Sequence, residues 1–316
     1  MEHETILTAE ARKAILLKQR RRNKIIEFLF ILAVIAYPIT NFLIFYLYKN
    51  ATSILMAFQQ YDADYKLQWV GLENFKIFFK GFGEPGNLYL VGLRNNLIAF
   101  LISLFLFRPM QFALSFFIYK KAPLGSTYRF AMMIPSILSS TLVSLMFLRF
   151  VNAIPLWMKT LGYKDFPKLL YDRRTRLFMT FFYEFWNGFG MSVIYYYNAM
   201  NRIDHEIVES AQLDGITYWT EFFTITFPMI FPTVTTFLIT GITGLIGSEG
   251  PLYLFWQLEA PTDVYRFGYI TLQYTLVQGK PAYPLVAAIG LLSMIIMTPL
   301  TLMLKNWLER IDPTKA

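Results

Sequence analysis

Apolar residues along this chain gather in uninterrupted blocks of about 20 instead of recurring every third or fourth position between polar ones. That is the pattern of membrane crossings, not of amphipathic helices around a soluble core. At a rise of about 1.5 Å per residue, a block of this length crosses a hydrocarbon layer of about 30 Å as a helix. Six blocks lie over residues 28–48, 97–119, 130–151, 177–200, 227–246 and 285–304, so the predicted fold is all-α, a polytopic membrane protein with six transmembrane helices. Residues 1–24 read as a basic tail, 25–310 as one membrane domain and 311–316 as a short second tail. Pro38, Pro109, Pro135, Pro232 and Pro299 fall inside the predicted spans and are expected to kink or loosen them.

Seven basic residues run from Arg12 to Lys24, with Arg20, Arg21 and Arg22 consecutive, just before the first block. The bias of cationic residues toward the cytoplasm places this end inside, and an even number of crossings returns the C-terminus, with Lys305 and Arg310, to the same side. No small-residue cleavage site follows the first block, which is expected to be a retained span. Trp69, Trp157 and Trp256 fall in the loops of the opposite side, where interfacial rings or short lid helices are expected. On the inner side, residues 120–128 contain Pro123 and Gly125 and read as a turn, whereas 201–226 is amphipathic and helical in pattern.

Composition agrees and narrows the chemistry. Hydrophobic residues make up 55% of the chain and charged ones 16%, outside the usual soluble range. With no cysteine, disulfides and thiolate sites are excluded, and two histidines, His3 and His205, are too few for a multi-histidine metal centre, so no metal site is expected. The net charge of +8 sits mostly at the ends of apolar blocks, which topology explains without nucleic acid. No predicted span holds a histidine or an aspartate, which argues against an intramembrane protease or transferase. A glycine-rich phosphate loop ending in Gly-Lys-Ser or Gly-Lys-Thr is absent, so no nucleotide or magnesium site is expected in this chain.

The most informative stretch is Glu209-Ser210-Ala211-Gln212-Leu213-Asp214-Gly215, followed after nine residues by Ile225-Thr226-Phe227-Pro228. It is too polar to cross a membrane and reads as a short helix at its surface. Asp204 is the candidate N-cap, Glu206 complements the helix dipole, small Ser210 and Ala211 allow close approach of another protein, and Gly215 lets the chain turn. This pattern resembles the EAA loop of binding-protein-dependent ABC importer permeases, with the spacing intact. Ser210 stands where the family has its first Ala of the pair and Phe227 where it has Leu. Val70-Gly71-Leu72-Glu73-Asn74-Phe75 looks like a segment common in the sugar-importing branch, and Arg94-Asn95-Asn96 matches that branch's helix start less closely.

The resemblance, which extends over roughly 28–310, implies the type I ABC importer transmembrane fold and a place in a bacterial cytoplasmic membrane. It implies as partners a second, homologous permease subunit, two ATPase subunits that bind ATP and magnesium, and an extracytoplasmic solute-binding protein. A coupling helix near 203–216 would dock on an ATPase through Glu209, Ser210, Ala211, Asp214 and Gly215. The aromatic content and long loops look like the oligosaccharide-importing subgroup; another solute, or a self-contained channel, is the alternative.

The fourth predicted span offers Tyr183, Glu184, Trp186, Asn187, Gly188 and Met191 as a substrate pathway, with Glu184, Asn187, Gly188 and Met191 on one helical face. Rings stack on sugar faces while Glu and Asn bond hydroxyls, although aromatic stripes in membrane helices also serve packing. A carboxylate in lipid costs about 2.5 kcal/mol or more, so Glu184 is expected to face a cavity or a partner. Arg108 in the second span has two readings, an ion pair with Glu184 or a residue of the second subunit, and contact with substrate. Ser248, Glu249 and Gly250 are placed either at the mouth of the pathway or in a simple turn.

Overall fold

The computed structural model describes residues 2–84, 86–163 and 165–315, with the backbone alone for residues 2–16 and 18. The chain forms two compact units, Met1–Met56 and Ala57–Ala316. In the first, the helix Glu2–Asn41 passes through a wide π-type stretch, Phe42–Tyr48, into Lys49–Met56 without leaving the helical region. Its apolar stretch runs over Gln19–Met56, and Phe28, Phe30 and Phe45 are all exposed. A helix apolar all round finds its low-energy surroundings in lipid.

The second unit opens with a hairpin of Gln59–Tyr61 against Leu67–Trp69 and a helix, Glu73–Phe82. Buried Asn74 holds the two together by donating to the carbonyls of Ala57 and Gln59 at 2.8 Å each. A bundle follows, made of Leu88–Tyr119, Gly125–Ile137, Ser140–Thr160, Arg176–Met200, the bent pair Tyr218–Met229 and Phe231–Thr243, and Tyr283–Arg310.

Its interior is packed in clusters at the two ends. At one end Phe78, Tyr89, Phe267, Tyr269 and Ile289 pack together, beside a group of Val143, Phe147, Val151, Leu170 and Tyr183. At the other end Phe112, Phe116, Tyr196, Met200, Val208, Phe222 and Ile230 pack together. Between the ends, Gly190 lets the 125–137 and 176–200 helices touch, since a Cβ there would run into the Met132 carbonyl.

Six unbroken crossings are expected from the hydropathy blocks; among the described residues four helices are long and apolar enough, or five with the bent pair counted as one span. The Arg176–Met200 helix has the length, 25 residues, but its Glu, Asn and tyrosines keep it out of that set. The block at 130–151 is not one helix. It breaks at Leu138, which is extended (φ −77°, ψ 153°), because the Ser139 side chain accepts from the Leu142 N–H at 3.2 Å and starts a new helix there. The block at 227–246 is bent by 66° about Ile230 and stops at Thr243.

The second span starts at Leu88, well before residue 97, capped by Asn87, whose side chain accepts from the N–H groups of Tyr89 and Leu90 at 2.8 and 3.2 Å. The polar triplet Arg94-Asn95-Asn96, which hydropathy leaves just ahead of the span, lies inside this helix because both asparagines are buried and bonded.

Two prolines act through local widening of the helix. A proline lacks an N–H and its ring presses on the carbonyl four residues earlier. Ahead of Pro109 and Pro228, the Arg108 and Phe227 N–H groups reach back to Ser103 and Phe222, five residues instead of four, which makes room for the ring.

Candidate functional site

Two regions at opposite ends of the bundle hold the residues singled out in the sequence. The first is the short helix His205–Leu213. Asp204 caps it by accepting from the Glu206 N–H at 3.2 Å. It ends at Gly215, whose φ of +77° only glycine adopts without strain. The Gly215 N–H donates to the Gln212 carbonyl and the Ile216 N–H to that of Ala211, closing the last turn.

Ile203 and Val208 anchor the helix in the neighbouring core, which leaves Glu209, Ser210 and Asp214 exposed and Ala211 half-buried. Leu213, beside them, is 89% exposed. Next to the helix is a groove of about 750 Å³, lined by Tyr119, Lys120, His205, Glu209, Gln212 and Glu221 among others.

At the other end, Glu184, Asn187 and Gly188 line a cavity of about 540 Å³ together with Ser140, Ser248, Glu249 and Gly250. The helical spacing thus brings three of the predicted residues to one space, and Ser248, Glu249 and Gly250 supply the facing wall. That wall is held by buried side chains. Asn96 donates to the carbonyl of Leu245 at 2.6 Å and to those of Ile246 and Ser248 at 3.3 Å, and Asn95 donates to Asp263 and Tyr265 at 2.8 and 2.9 Å. Arg266, almost fully buried, places one terminal nitrogen 3.0 and 2.9 Å from the two oxygens of Glu184, with Phe181 stacked on its guanidinium at 5.1 Å. The cavity therefore has hydroxyl, amide and carboxylate groups, and the charge of Glu184 is matched by Arg266.

Residues 86–313 match the family described as binding-protein-dependent transport system inner membrane component. The chain belongs to that family. It is thus a multi-pass membrane permease subunit rather than an enzyme family member. Among curated relatives, the arabinooligosaccharides transport system permease protein AraP of Bacillus subtilis is 24% identical over 276 residues, 84% of this chain and 83% of that protein.

Among solved structures, a chain of a bacterial ABC transporter involved in the import of the acidic polysaccharide alginate superposes with a TM-score of 0.72 at 21% identity, covering 92% of this chain and 99% of that one. A chain of a bacterial alginate ABC transporter in complex with alginate pentasaccharide-bound periplasmic protein gives 0.74 at 21% identity over 92% and 97%. These show a shared fold.

Of the remaining predicted residues of this permease family member, Tyr183 alone reaches the cavity among the described residues. Tyr183 touches the cavity, but its ring is buried between Phe147 and Phe255, with centroids at 5.0 and 4.9 Å. Trp186 stacks on Phe147 at 5.8 Å with much of its surface open, and Met191, half-buried, lines neither cavity beside Glu184.

Arg108 does not pair with Glu184. It donates to the Tyr196 hydroxyl at 2.9 Å and to the Phe237 carbonyl at 3.2 Å, and shares with Glu184 and Gly188 only a smaller cavity of about 140 Å³. The residue missed in the sequence is Arg266. Its one available signal was a lone charge in the apolar run Val264-Tyr265-Arg266-Phe267.

Proposed function

We propose that the chain is one of two permease subunits of an ATP-driven importer that moves an oligosaccharide delivered by an extracytoplasmic solute-binding protein, with one of the importer's two ATPase subunits docking on the 205–213 helix. The observation that carries the reading is that helix itself, capped by Asp204, stopped by Gly215, rooted by Ile203 and Val208, and presenting Leu213 outward. Its relatives and structural neighbours support the solute class: one is an arabinooligosaccharides transport permease and the others belong to alginate importers.

In this reading the N- and C-termini and the 205–213 helix face the cytoplasm, consistent with the basic cluster from Arg12 to Lys24. Substrate passes the cavity lined by Glu184, Asn187, Gly188 and Glu249, where amide and carboxylate groups accept and donate to sugar hydroxyls. Arg108, Tyr183, Trp186 and Met191 shape the helices around it.

Reconstitution tests this. The subunit alone in proteoliposomes is expected to pass no oligosaccharide. With the second permease, the ATPases and a loaded binding protein it is expected to take up sugar only when ATP is hydrolysed. Flux through the subunit alone would favour a self-contained channel.

A further inference from the structure

The helix His205–Leu213 is joined to the rest of the bundle by a contact outside its own motif. Just beyond Gly215, Thr217 caps a short helix, Tyr218–Glu221, and Glu221 at its end forms a buried ion pair with Lys120. Lys120 closes the long Leu88–Tyr119 span, its N–H bonded to the Phe116 carbonyl at 2.9 Å. The two side chains are 14% and 2% exposed, and the rings of Phe116, Tyr119 and Tyr218 stand 5.6 to 5.9 Å from the ammonium nitrogen. Largely buried and flanked by aromatics, the pair resists separation, because neither partner can leave without stranding the other's charge.

No other ion pair among the described residues makes such a link. Arg176–Asp263 and Arg266–Glu184 lie at the far end of the bundle, and Lys76–Glu73 and Lys305–Glu309 join neighbours on one helix. The groove of about 750 Å³ runs between the pair and the 205–213 helix, so Lys120 and Glu221 form one of its walls while Glu209 and Gln212 form another. The span that Lys120 closes is the one whose other end carries Asn95 and Asn96, which grip the cavity wall at 245–248 and 263–265.

We propose that the Lys120–Glu221 pair is the positioning link that makes the 88–119 helix follow the 205–213 helix, so that movement imposed by an ATPase reaches the cavity wall held by Asn95 and Asn96. The inference rests on the reading of 205–213 as the docking helix. Neither residue touches substrate or nucleotide; each acts by fixing where the other's helix goes.

The test uses the assembled importer in proteoliposomes and reads the ratio of ATPase activity with loaded binding protein to activity without it. The double change Lys120→Met with Glu221→Gln removes the pair without leaving a lone buried charge. It is expected to lower that ratio by about tenfold, the size of ordinary coupling between two sites, with subunit content in the membrane unchanged. The charge swap Lys120→Glu with Glu221→Lys is expected to recover most of the ratio.

A normal ratio in the double variant overturns the proposal, as does a swap no better than the double variant. Gly215→Glu is the control for the underlying reading. If it leaves the ratio normal, the docking role of the helix fails; if it lowers the ratio while the double variant does not, only the link fails.

Discussion

Glu184 and Arg266, 82 positions apart in the chain, meet with one guanidinium nitrogen 3.0 and 2.9 Å from the two carboxylate oxygens. The pair sits where the 176–200 helix faces the loop that leads into Phe267–Gln273, at the edge of the cavity. Glu184 is therefore as much a partner for a buried cation as a group offered to substrate. Glu184→Gln strands Arg266 and is expected to cost about 3 kcal/mol of stability, whereas Glu184→Gln combined with Arg266→Met is expected to cost less than the single change. Thermal unfolding of the purified subunit in detergent checks the order.

Asn95 shows the same logic with neutral groups. Its side-chain amide serves the carbonyls of Asp263 and Tyr265, and Asn95 itself has no exposed surface. Asn95→Leu leaves those carbonyls unpaired and is expected to cost about 1–3 kcal/mol. Amide exchange in residues 262–273 should quicken in that variant and stay unchanged in residues 205–213.

Asn187 lines the cavity and forms no side-chain hydrogen bond to the described residues, so its amide is free to meet solute. Asn187→Ala is expected to raise the apparent KM for sugar uptake about fivefold, one hydrogen bond's worth, with unfolding temperature unchanged. Steady-state uptake in proteoliposomes measures it.

Two glycines on the same helix should separate packing from pathway. A Cβ at Gly190 meets the Met132 backbone, while one at Gly188 meets nothing within 4 Å. Gly190→Ala is expected to lower the amount of folded subunit because backbone cannot move aside cheaply, and Gly188→Ala to leave it normal. Fluorescence-detected size-exclusion chromatography of the two variants decides.

The parts of this fold that depend on neighbours in sequence were legible there. Asp204, Glu206 and Gly215 mark the two ends of one helix by backbone chemistry alone, and the structure places its bounds at 205 and 213 within the expected 203–216. Residues at helical spacing, Glu184, Asn187 and Gly188, come to one cavity for the same reason.

What was hidden depends on contacts across the chain. A hydropathy reading leaves Asn95 and Asn96 just outside the second span because it counts their polarity and not the carbonyls that absorb it. It offers Arg108 as one possible partner of Glu184, while the cation that does pair, Arg266, lies in a segment whose fold nothing local announces. The break at Leu138 depends on one serine choosing to cap a helix rather than continue it.

The central claim, that a separate ATPase holds this subunit by the 205–213 helix, is tested most directly at Leu213, 89% exposed on that helix. Leu213→Asp introduces a charge on the contact surface without disturbing the anchors Ile203 and Val208. The measurement is co-purification of ATPase subunits with the variant from membranes in which it is inserted at the normal level. Loss of the ATPases is the predicted result; their retention, with ATP-driven uptake intact, would contradict the account.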